Sequence, residues 1–231
     1  MDRSIIKKAF IASVPVMSGY VVLGIAYGVL AQDMGLTTAQ GAGMSVIVYA
    51  GSLQFVLISL LSGGASLLTI ALTSLLVNAR HLFYGISMIE RYRDAGKAKP
   101  YMIFTLTDET YSLVCSVPDD IPEEKRIPYC FFVSAFDHCW WVAGGVIGCL
   151  LGSAVNFSTE GLDFALTALF ITVMTGQWLD HKDHRPALTG AAASLVCLMI
   201  FGPDAFLIPS MIAIAALLLT LRPFIEGRAA E

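Results

Sequence analysis

Hydrophobic stretches constrain the fold of this sequence more than any other feature. Of its 231 residues, 56% are hydrophobic and 14% are charged, so a soluble domain of this length could not bury all the apolar side chains. The stretches fall at about 10–31, 42–61, 65–89, 101–117, 128–152, 161–179, 187–202 and 205–222. Each is long enough, or nearly so, to cross about 30 Å of hydrocarbon. Because backbone groups in lipid must bond internally and no stretch alternates strictly, we predict an all-α, polytopic transmembrane helical bundle.

Positive charges set the predicted topology, since every Lys and Arg except Arg80 lies between, outside or at the very end of the hydrophobic stretches. If positive loops are cytoplasmic, the stretches 42–61 and 101–117 each begin and end on one side, which makes them re-entrant or broken helices. If all eight stretches cross, the basic loop 90–100 lies outside instead. We prefer the first topology, with six to eight hydrophobic segments in one integral membrane domain, 1–231.

A weak internal repeat would divide that domain into halves 1–117 and 128–231, as in many transporters. Two pairs of motifs carry it: Gly24-x-x-x-Gly28 with Gly144-x-x-x-Gly148, and Tyr49-Ala50-Gly51 followed by Gln54 with Met174-Thr175-Gly176-Gln177. The charge pattern does not give each half an odd number of crossings, so the repeat is a weak prediction. Glycine at every fourth position from 144 to 152 predicts a helix-packing seam rather than a ligand site.

Arg80 is the one positive charge inside a hydrophobic stretch, and Asn78 and His81 lie beside it. A charge at the middle of the membrane costs about 2.5–3.5 kcal/mol, whereas one Leu or Ile returns about 0.3–0.6 kcal/mol. Arg80 therefore needs either a structural partner, such as a buried acid or carbonyl groups, or a function. On a helix Arg80, His81 and Tyr84 share a face, and Asn78 joins them only if the helix breaks there.

The segment 101–117 carries two acids within a short apolar run. Interpreted as one helix, it has a polar stripe at i, i+3, i+4, i+7 and i+11: Thr105, Asp108, Glu109, Ser112 and Ser116. The stripe predicts that Asp108 and Glu109 face a protein interior or a watery cavity. They would bind a proton or a substrate ammonium, or balance the charge of Arg80. The alternatives are a purely structural ion pair with Arg80, or an interfacial helix with both acids in water.

The segment 42–61 contains a Gly, a Ser and an amide in the run Tyr49-Ala50-Gly51-Ser52-Leu53-Gln54-Phe55. A helix unwound at Gly51 would expose backbone N–H and C=O groups, with which transporters bind carboxylate and ammonium groups. Gly and Ser also permit close helix packing, so both interpretations stay open.

Asp137 and His138 lie about 13–15 Å along the segment 128–152, too deep for a short acid to reach water easily. They either extend a proton path with His81, because histidine titrates near neutral pH, or bond to Trp140, Trp141 or nearby backbone.

Other classes of protein find little support in the sequence. The five cysteines show no C-x-x-C spacing, and the His and Asp residues at 180–185 lie in a loop, so we predict no metal site, cofactor or disulfide framework. The absence of G-x-S-x-G and H-E-x-x-H motifs disfavours an enzyme. Nothing in the charge pattern indicates nucleic-acid binding.

Three runs of this sequence are similar to those of one known family: Tyr49 to Phe55 as written above, Asn78-Ala79-Arg80-His81-Leu82-Phe83-Tyr84-Gly85, and Thr107-Asp108-Glu109-Thr110-Tyr111. Together they resemble the AzlC-type permeases, the larger subunit of bacterial branched-chain amino acid exporters, over most of residues 5–152. The resemblance implies a multi-pass inner-membrane protein that exports leucine, isoleucine, valine or similar amino acids. It also implies coupling to protons and a small hydrophobic partner subunit of the AzlD type.

A zwitterion with an apolar side chain needs a cation for its carboxylate, an acid or carbonyl groups for its ammonium, and an apolar pocket. We expect the substrate site to comprise Arg80, Asn78, Gln54, Gly51, Ser52, Tyr49 and Tyr84. We expect proton coupling or ion pairing at Asp108, Glu109, His81, Asp137 and His138. The alternative is a non-transporting accessory or scaffold subunit, whose buried polar groups bind a partner helix.

Overall fold

The computed structural model describes residues 2–154, single positions between 164 and 179, residues 183–202 and residues 206–226. All regular secondary structure in these residues is helical, which confirms the all-α prediction. The helices are α1 Arg3–Asp33, α2 Thr38–Ile47, α3 Gly51–Ser62, α4 Leu67–Val77, α5 Ala79–Ser87, a 3-10 helix Arg93–Ala98, α6 Lys99–Phe104, α7 Asp108–Cys115, α8 Glu123–Ala154, α9 Arg185–Phe201 and α10 Leu207–Glu226.

Two helices, α1 and α8, are each long and apolar enough to cross a membrane. The pair α4 and α5 meets the same criteria as one bent span, so the described residues hold two or three candidate spans. The predicted count of six to eight hydrophobic segments is therefore not confirmed as a count of spans. The predicted stretch 161–179 lies largely outside the described residues, as do Gly176 and Gln177 of the second repeat motif.

The chain divides into two compact units, one with Met1–Ser66 and Val77–Leu166 and the other with Leu67–Leu76 and Thr167–Glu231. The boundaries do not coincide with the halves 1–117 and 128–231, and a single domain stays a prediction. In the second unit α9 packs against α10. All the described side chains of the candidate site belong to the first unit.

Glycines bring α1 and α8 into backbone contact. A Cβ on Gly24 would lie 2.9 Å from the Gly145 nitrogen, and one on Gly144 would lie 2.8 Å from the Val21 oxygen. Gly28 and Gly148 approach the facing backbone still more closely. Because lipid is as apolar as a leucine side chain, van der Waals contact of this kind is a main source of helix association in membranes. The predicted packing seam is confirmed.

A buried apolar cluster fixes the short helices against α1 and α8. Its members are Ile5, Ala9, Met88, Tyr92, Ala95, Met102, Leu106, Val114, Ile121, Tyr129, Cys130 and Val133. Leu106, between α6 and α7, is only 1% exposed, so the chain is anchored at the point where these helices separate.

The segment 101–117 is broken, as the preferred topology requires, because α6 ends at Phe104 and α7 begins at Asp108. The polar stripe predicted along one continuous helix over this segment is therefore wrong. Thr107 has an extended backbone, with φ −94° and ψ 176°, and its side chain accepts a hydrogen bond from the Thr110 N–H. This N-cap starts a new helix and places two acids in the first turn, where the helix dipole favours them. Thr105 therefore does not share a helix with Asp108 and Glu109.

The segment 42–61 is also broken, as the preferred topology requires. α2 ends at Ile47 and α3 begins at Gly51, and Tyr49 between them has a φ of +40°, a left-handed conformation that is rare for a bulky residue. A Cβ on Gly51 would lie 2.8 Å from the Trp141 ring. Gly51 thus follows the break and permits close packing, and its backbone as a binding group for substrate stays a prediction.

Candidate functional site

Arg80 is ion-paired with Asp108. Its Nη1 donates to Asp108 Oδ2 at 2.5 Å, and its Nη2 donates to Ser52 Oγ at 2.8 Å. Ser52 is the second residue of α3, Arg80 the second of α5, and Asp108 the first of α7. The starts of three helices that follow breaks in hydrophobic segments therefore meet at one guanidinium group.

The Arg80–Asp108 pair is partly open to its surroundings and keeps unused hydrogen-bonding capacity. The side chains are 33% and 24% exposed, respectively. Within the described residues, Arg80 Nε and Asp108 Oδ1 have no hydrogen-bond partner. A guanidinium group has five N–H donors and a carboxylate about four acceptor positions, so this pair could bind a further polar group.

Asn78 lies at a helix break. The sequence predicts that Asn78 joins the site of Arg80 only if the helix breaks at this point. Its backbone, at φ −91° and ψ 3°, separates α4 from α5, and its buried Oδ1 has no partner among the described residues. His81 packs edge-on against Tyr84, with ring centroids 6.0 Å apart, and Tyr84 stacks on Tyr111 at 4.5 Å. Asn78 thus precedes α5, and Tyr84 lies on α5 about one helical turn after Arg80.

The proton path predicted through His81 is not formed by direct contacts. No hydrogen bond among the described residues joins His81 to Asp137 or His138. His138 instead lies against Tyr49, with ring centroids 4.4 Å apart, and its Nδ1 is 3.1 Å from the Tyr101 hydroxyl. The structure therefore brings Tyr49 and His138 together, whereas His81, on α5, packs against Tyr84.

Gln54 is fully buried and faces α8. Its Oε1 accepts a hydrogen bond from Trp141 Nε1 at 2.8 Å, while Trp140 Nε1 donates to Ser13. The two tryptophans proposed as partners of Asp137 are thus bonded elsewhere. Gln54 supports the start of α3 from inside the protein.

Glu109 and Asp137 are connected by three hydroxyl groups, which the sequence analysis did not identify. The Tyr20 hydroxyl donates to Glu109 Oε2 at 2.7 Å and lies 2.5 Å from Thr107 Oγ1. Thr107 Oγ1 lies 3.1 Å from Thr110 Oγ1, which donates to Asp137 Oδ2 at 2.7 Å. Asp137 is therefore bonded to Thr110, and not to the tryptophans or backbone suggested by the sequence.

An apolar groove of about 470 Å³ lies between α2 and α8 in the same unit. Its lining is mainly aliphatic: Val46, His138, Cys139, Val142, Ala143, Val146 and Ile147. None of these residues contacts Arg80 or Asp108 through a hydrogen bond or ion pair, so the groove and the ion pair are separate features. The described residues contain no group of His, Cys, Asp and Glu side chains suited to hold a metal ion.

Comparison with known proteins finds relatives that are named as membrane or transport proteins. It is 42% identical over 222 residues to a branched-chain amino acid transport protein, AzlC, of Bacillus subtilis, covering 95% of this chain and 86% of that protein. It is 39% identical to an uncharacterized membrane protein of Haemophilus influenzae, over 94% of this chain and 88% of the relative. Identity to the inner membrane protein YgaZ of Escherichia coli is 29%, over 81% and 80% of the two chains.

No solved structure matches this chain. The family model described as AzlC protein matches residues 15–155, which include most of α1, all of α2 to α8, and every residue of the ion pair and of the hydroxyl chain. With that match and the 42% identity to the Bacillus subtilis protein, the chain belongs to the AzlC family.

Proposed function

We propose that this chain is a secondary transporter that exports branched-chain or similar apolar amino acids across the bacterial inner membrane. The substrate class is supported by the name of the Bacillus subtilis relative, and the location by that of the Escherichia coli relative. The proposal also includes outward transport, coupling to protons and a small hydrophobic partner subunit of the AzlD type. These three parts rest on the family resemblance described above.

The Arg80–Asp108 pair is the observation that carries the proposal. An amino acid zwitterion has one carboxylate and one ammonium group, so it can insert between the two side chains with the carboxylate on Arg80 and the ammonium on Asp108. One ion pair is then replaced by two, and no net charge is added to the membrane interior. Hydrogen bonds between charged groups are about twice as strong as neutral ones, which favours this arrangement.

The helix starts around the pair also favour an anion at Arg80. Ser52 and Arg80 each follow the first residue of a helix, α3 and α5, where unpaired N–H groups and the dipole attract negative charge. We assign Asn78 to the polar edge of the substrate site, and Tyr49 and Tyr84 to its aromatic walls. Gln54 and Gly51 support the substrate site from the protein interior, since both contact Trp141.

Counterflow of labelled leucine, isoleucine and valine in proteoliposomes tests this function. The chain is reconstituted with and without the small partner subunit, and Arg80→Ala is compared with Arg93→Ala. Arg93 forms an exposed ion pair with Glu90, so it is a matched control for loss of an arginine. We expect counterflow to be abolished by Arg80→Ala and retained by Arg93→Ala.

The same experiment separates transport from the scaffold alternative. A scaffold subunit would give neither substrate binding nor counterflow in the wild type, whether the partner was present or absent. Equal counterflow in wild type and Arg80→Ala would show transport but remove Arg80 from the substrate site.

A further inference from the structure

We propose that Glu109 and Asp137 form one proton-binding site that holds a single proton, shared through the hydroxyl groups of Tyr20, Thr107 and Thr110. The proposal rests on the proposed function, because it locates the proton that would be coupled to amino acid export. It assigns the coupling proton to a site distinct from the Arg80–Asp108 pair.

The number of hydrogens in the chain leads to this conclusion. Four oxygen-to-oxygen links join the two carboxyl groups: Glu109 to Tyr20, Tyr20 to Thr107, Thr107 to Thr110, and Thr110 to Asp137. Three hydroxyl groups supply three hydrogens, since each Tyr or Thr hydroxyl has one. If both carboxyl groups are ionised, one link has two facing oxygens and no hydrogen between them.

With both carboxyl groups ionised, the single hydroxyl hydrogen of Thr107 decides which link is empty. Tyr20 donates to Glu109 and Thr110 to Asp137, so Thr107 can donate either to Thr110 or to Tyr20. One of these two links then has no hydrogen, although the contact between Tyr20 and Thr107, at 2.5 Å, is the shortest of the four. A fourth hydrogen, from one protonated carboxyl group, fills every link.

One proton gives two arrangements of the chain, which differ in the acid that carries it. With Asp137 protonated, its O–H donates to Thr110, Thr110 to Thr107, Thr107 to Tyr20, and Tyr20 to the Glu109 carboxylate. With Glu109 protonated, all four hydrogens point the other way. Each hydrogen moves across one link when the arrangement changes, so the net result is transfer of one proton between Asp137 Oδ2 and Glu109 Oε2.

Burial and charge fit a single shared proton. Asp137 is fully buried, whereas Glu109 is partly exposed and adjoins Asp108 in the chain. No Lys, Arg or His among the described residues forms an ion pair with either carboxyl group, so two charges here would be unbalanced. Asp108 already has Arg80 as its partner.

The other ionisable groups around the chain are mostly phenols. Those whose electrostatic interactions reach Glu109 or Asp137 are Tyr20 on α1, Tyr49 between α2 and α3, Tyr84 on α5 and Tyr129 on α8. His138 follows Asp137 on α8 but is engaged with Tyr49 and Tyr101.

A second proton would give the hydroxyl chain five hydrogens for four links, so one proton is the number that the geometry accommodates.

Infrared spectroscopy of the purified full chain tests the shared proton directly. The carbonyl stretch of a protonated carboxyl group should be present in the wild type and should be lost in both Glu109→Gln and Asp137→Asn. In either variant the new amide supplies the fourth hydrogen, so the remaining carboxyl group ionises. If the protons are independent, at least one variant keeps the band, and the proposal is overturned.

Transport variants test the relay without changing either carboxyl group. Tyr20→Phe and Thr110→Val each remove one hydroxyl, and the matched controls Tyr92→Phe and Thr73→Val remove buried hydroxyls that have no hydrogen-bond partner in the described residues. We expect the ratio of accumulation driven by a pH gradient to counterflow at equal pH to fall about tenfold in the relay variants, the effect of losing a hydrogen bond to a charged group. The control ratios should match the wild type.

These measurements distinguish failure of the relay from failure of the proposed function. An unchanged ratio in folded Tyr20→Phe and Thr110→Val would overturn the relay while counterflow still supported transport. Absence of counterflow in the wild type would contradict the proposed function, and the infrared result would still decide whether the two acids share a proton.

Discussion

The seam between α1 and α8 and the cluster of helix starts around Arg80 are built in opposite ways. The seam joins two long, continuous helices through glycines and has no polar side chain at its closest contacts. The Arg80 cluster joins the ends of short helices and depends on charge and hydrogen bonds. We infer that the seam provides the rigid support and that the breaks provide groups free to bind substrate.

Adding a methyl group to the seam should have the largest effect on folding. Gly148→Ala puts a Cβ against the Ile25 backbone, and because two backbones must separate, we expect a loss of about 1–3 kcal/mol or more in stability. Gly19→Ala is the matched control, since Gly19 lies on α1 with open space around it. Thermal unfolding monitored by size-exclusion chromatography in detergent measures both. Equal stability of the two variants would show that the seam is not tightly packed.

Gly51→Ala tests how the two regions are connected. The new Cβ would press on Trp141, whose ring lies between Tyr20 and Tyr27 and has little room to move. We expect the start of α3 to shift, so that Ser52 loses its contact with Arg80 and counterflow falls more than stability does. Gly43→Ala, on α2 with nothing near it, is the control. A variant that lost stability but kept full counterflow per folded molecule would contradict this connection.

Ser52→Ala should have a smaller effect, confined to the substrate site. The variant removes one of the two hydrogen bonds that orient the Arg80 guanidinium group. Because Arg80 is about one third exposed, we discount the usual value for a charged hydrogen bond to about 1 kcal/mol, or roughly fivefold in substrate affinity. Ser59→Ala on the same helix removes only a bond to the Phe55 carbonyl. Substrate titrations of the two variants should differ; identical affinities would show that Ser52 does not orient Arg80.

The smallest effect is expected at the surface pair Asp2–Lys125, which joins the starts of α1 and α8. The hydrogen bond from Lys125, together with that from the Ser4 N–H, lowers the pKa of Asp2. The pair should therefore stabilise the protein above the ordinary pKa of an aspartate and lose this contribution as the pH falls through the lowered pKa. Asp2→Asn keeps the N-cap and removes the charge.

Unfolding temperatures measured across pH provide the check. The wild type should be slightly more stable than Asp2→Asn at neutral pH and equal to it in strong acid. A difference that persisted in acid would indicate that the charge of Asp2 is not responsible.

The sequence predicted the structure best where the cost of burying a charge, or the need for close backbone contact, left few possible arrangements. An arginine within a hydrophobic stretch required a partner, and Asp108 is that partner in the structure. Glycine at every fourth position predicted the seam correctly for a similar reason, since close backbone approach excludes other residues.

The sequence was least informative where two local signals competed or where partners were distant. Periodicity favoured one helix over 101–117, but the Thr107 N-cap and the acids after it favour a new start at Asp108, and the buried Leu106 anchors the chain between α6 and α7. Tyr20 and Asp137 belong to one hydrogen-bond chain only because α1, α7 and α8 come together. No local pattern contains that information.

Binding of three related molecules to the purified protein tests the central claim most directly. Leucine has both charges, 3-methylbutylamine lacks the carboxylate, and 4-methylpentanoate lacks the ammonium group. If a zwitterion inserts between Arg80 and Asp108, leucine should bind far more tightly than either analogue, and Arg80→Ala should remove its advantage over the amine. Equal binding of leucine and both analogues to the wild type would contradict this account.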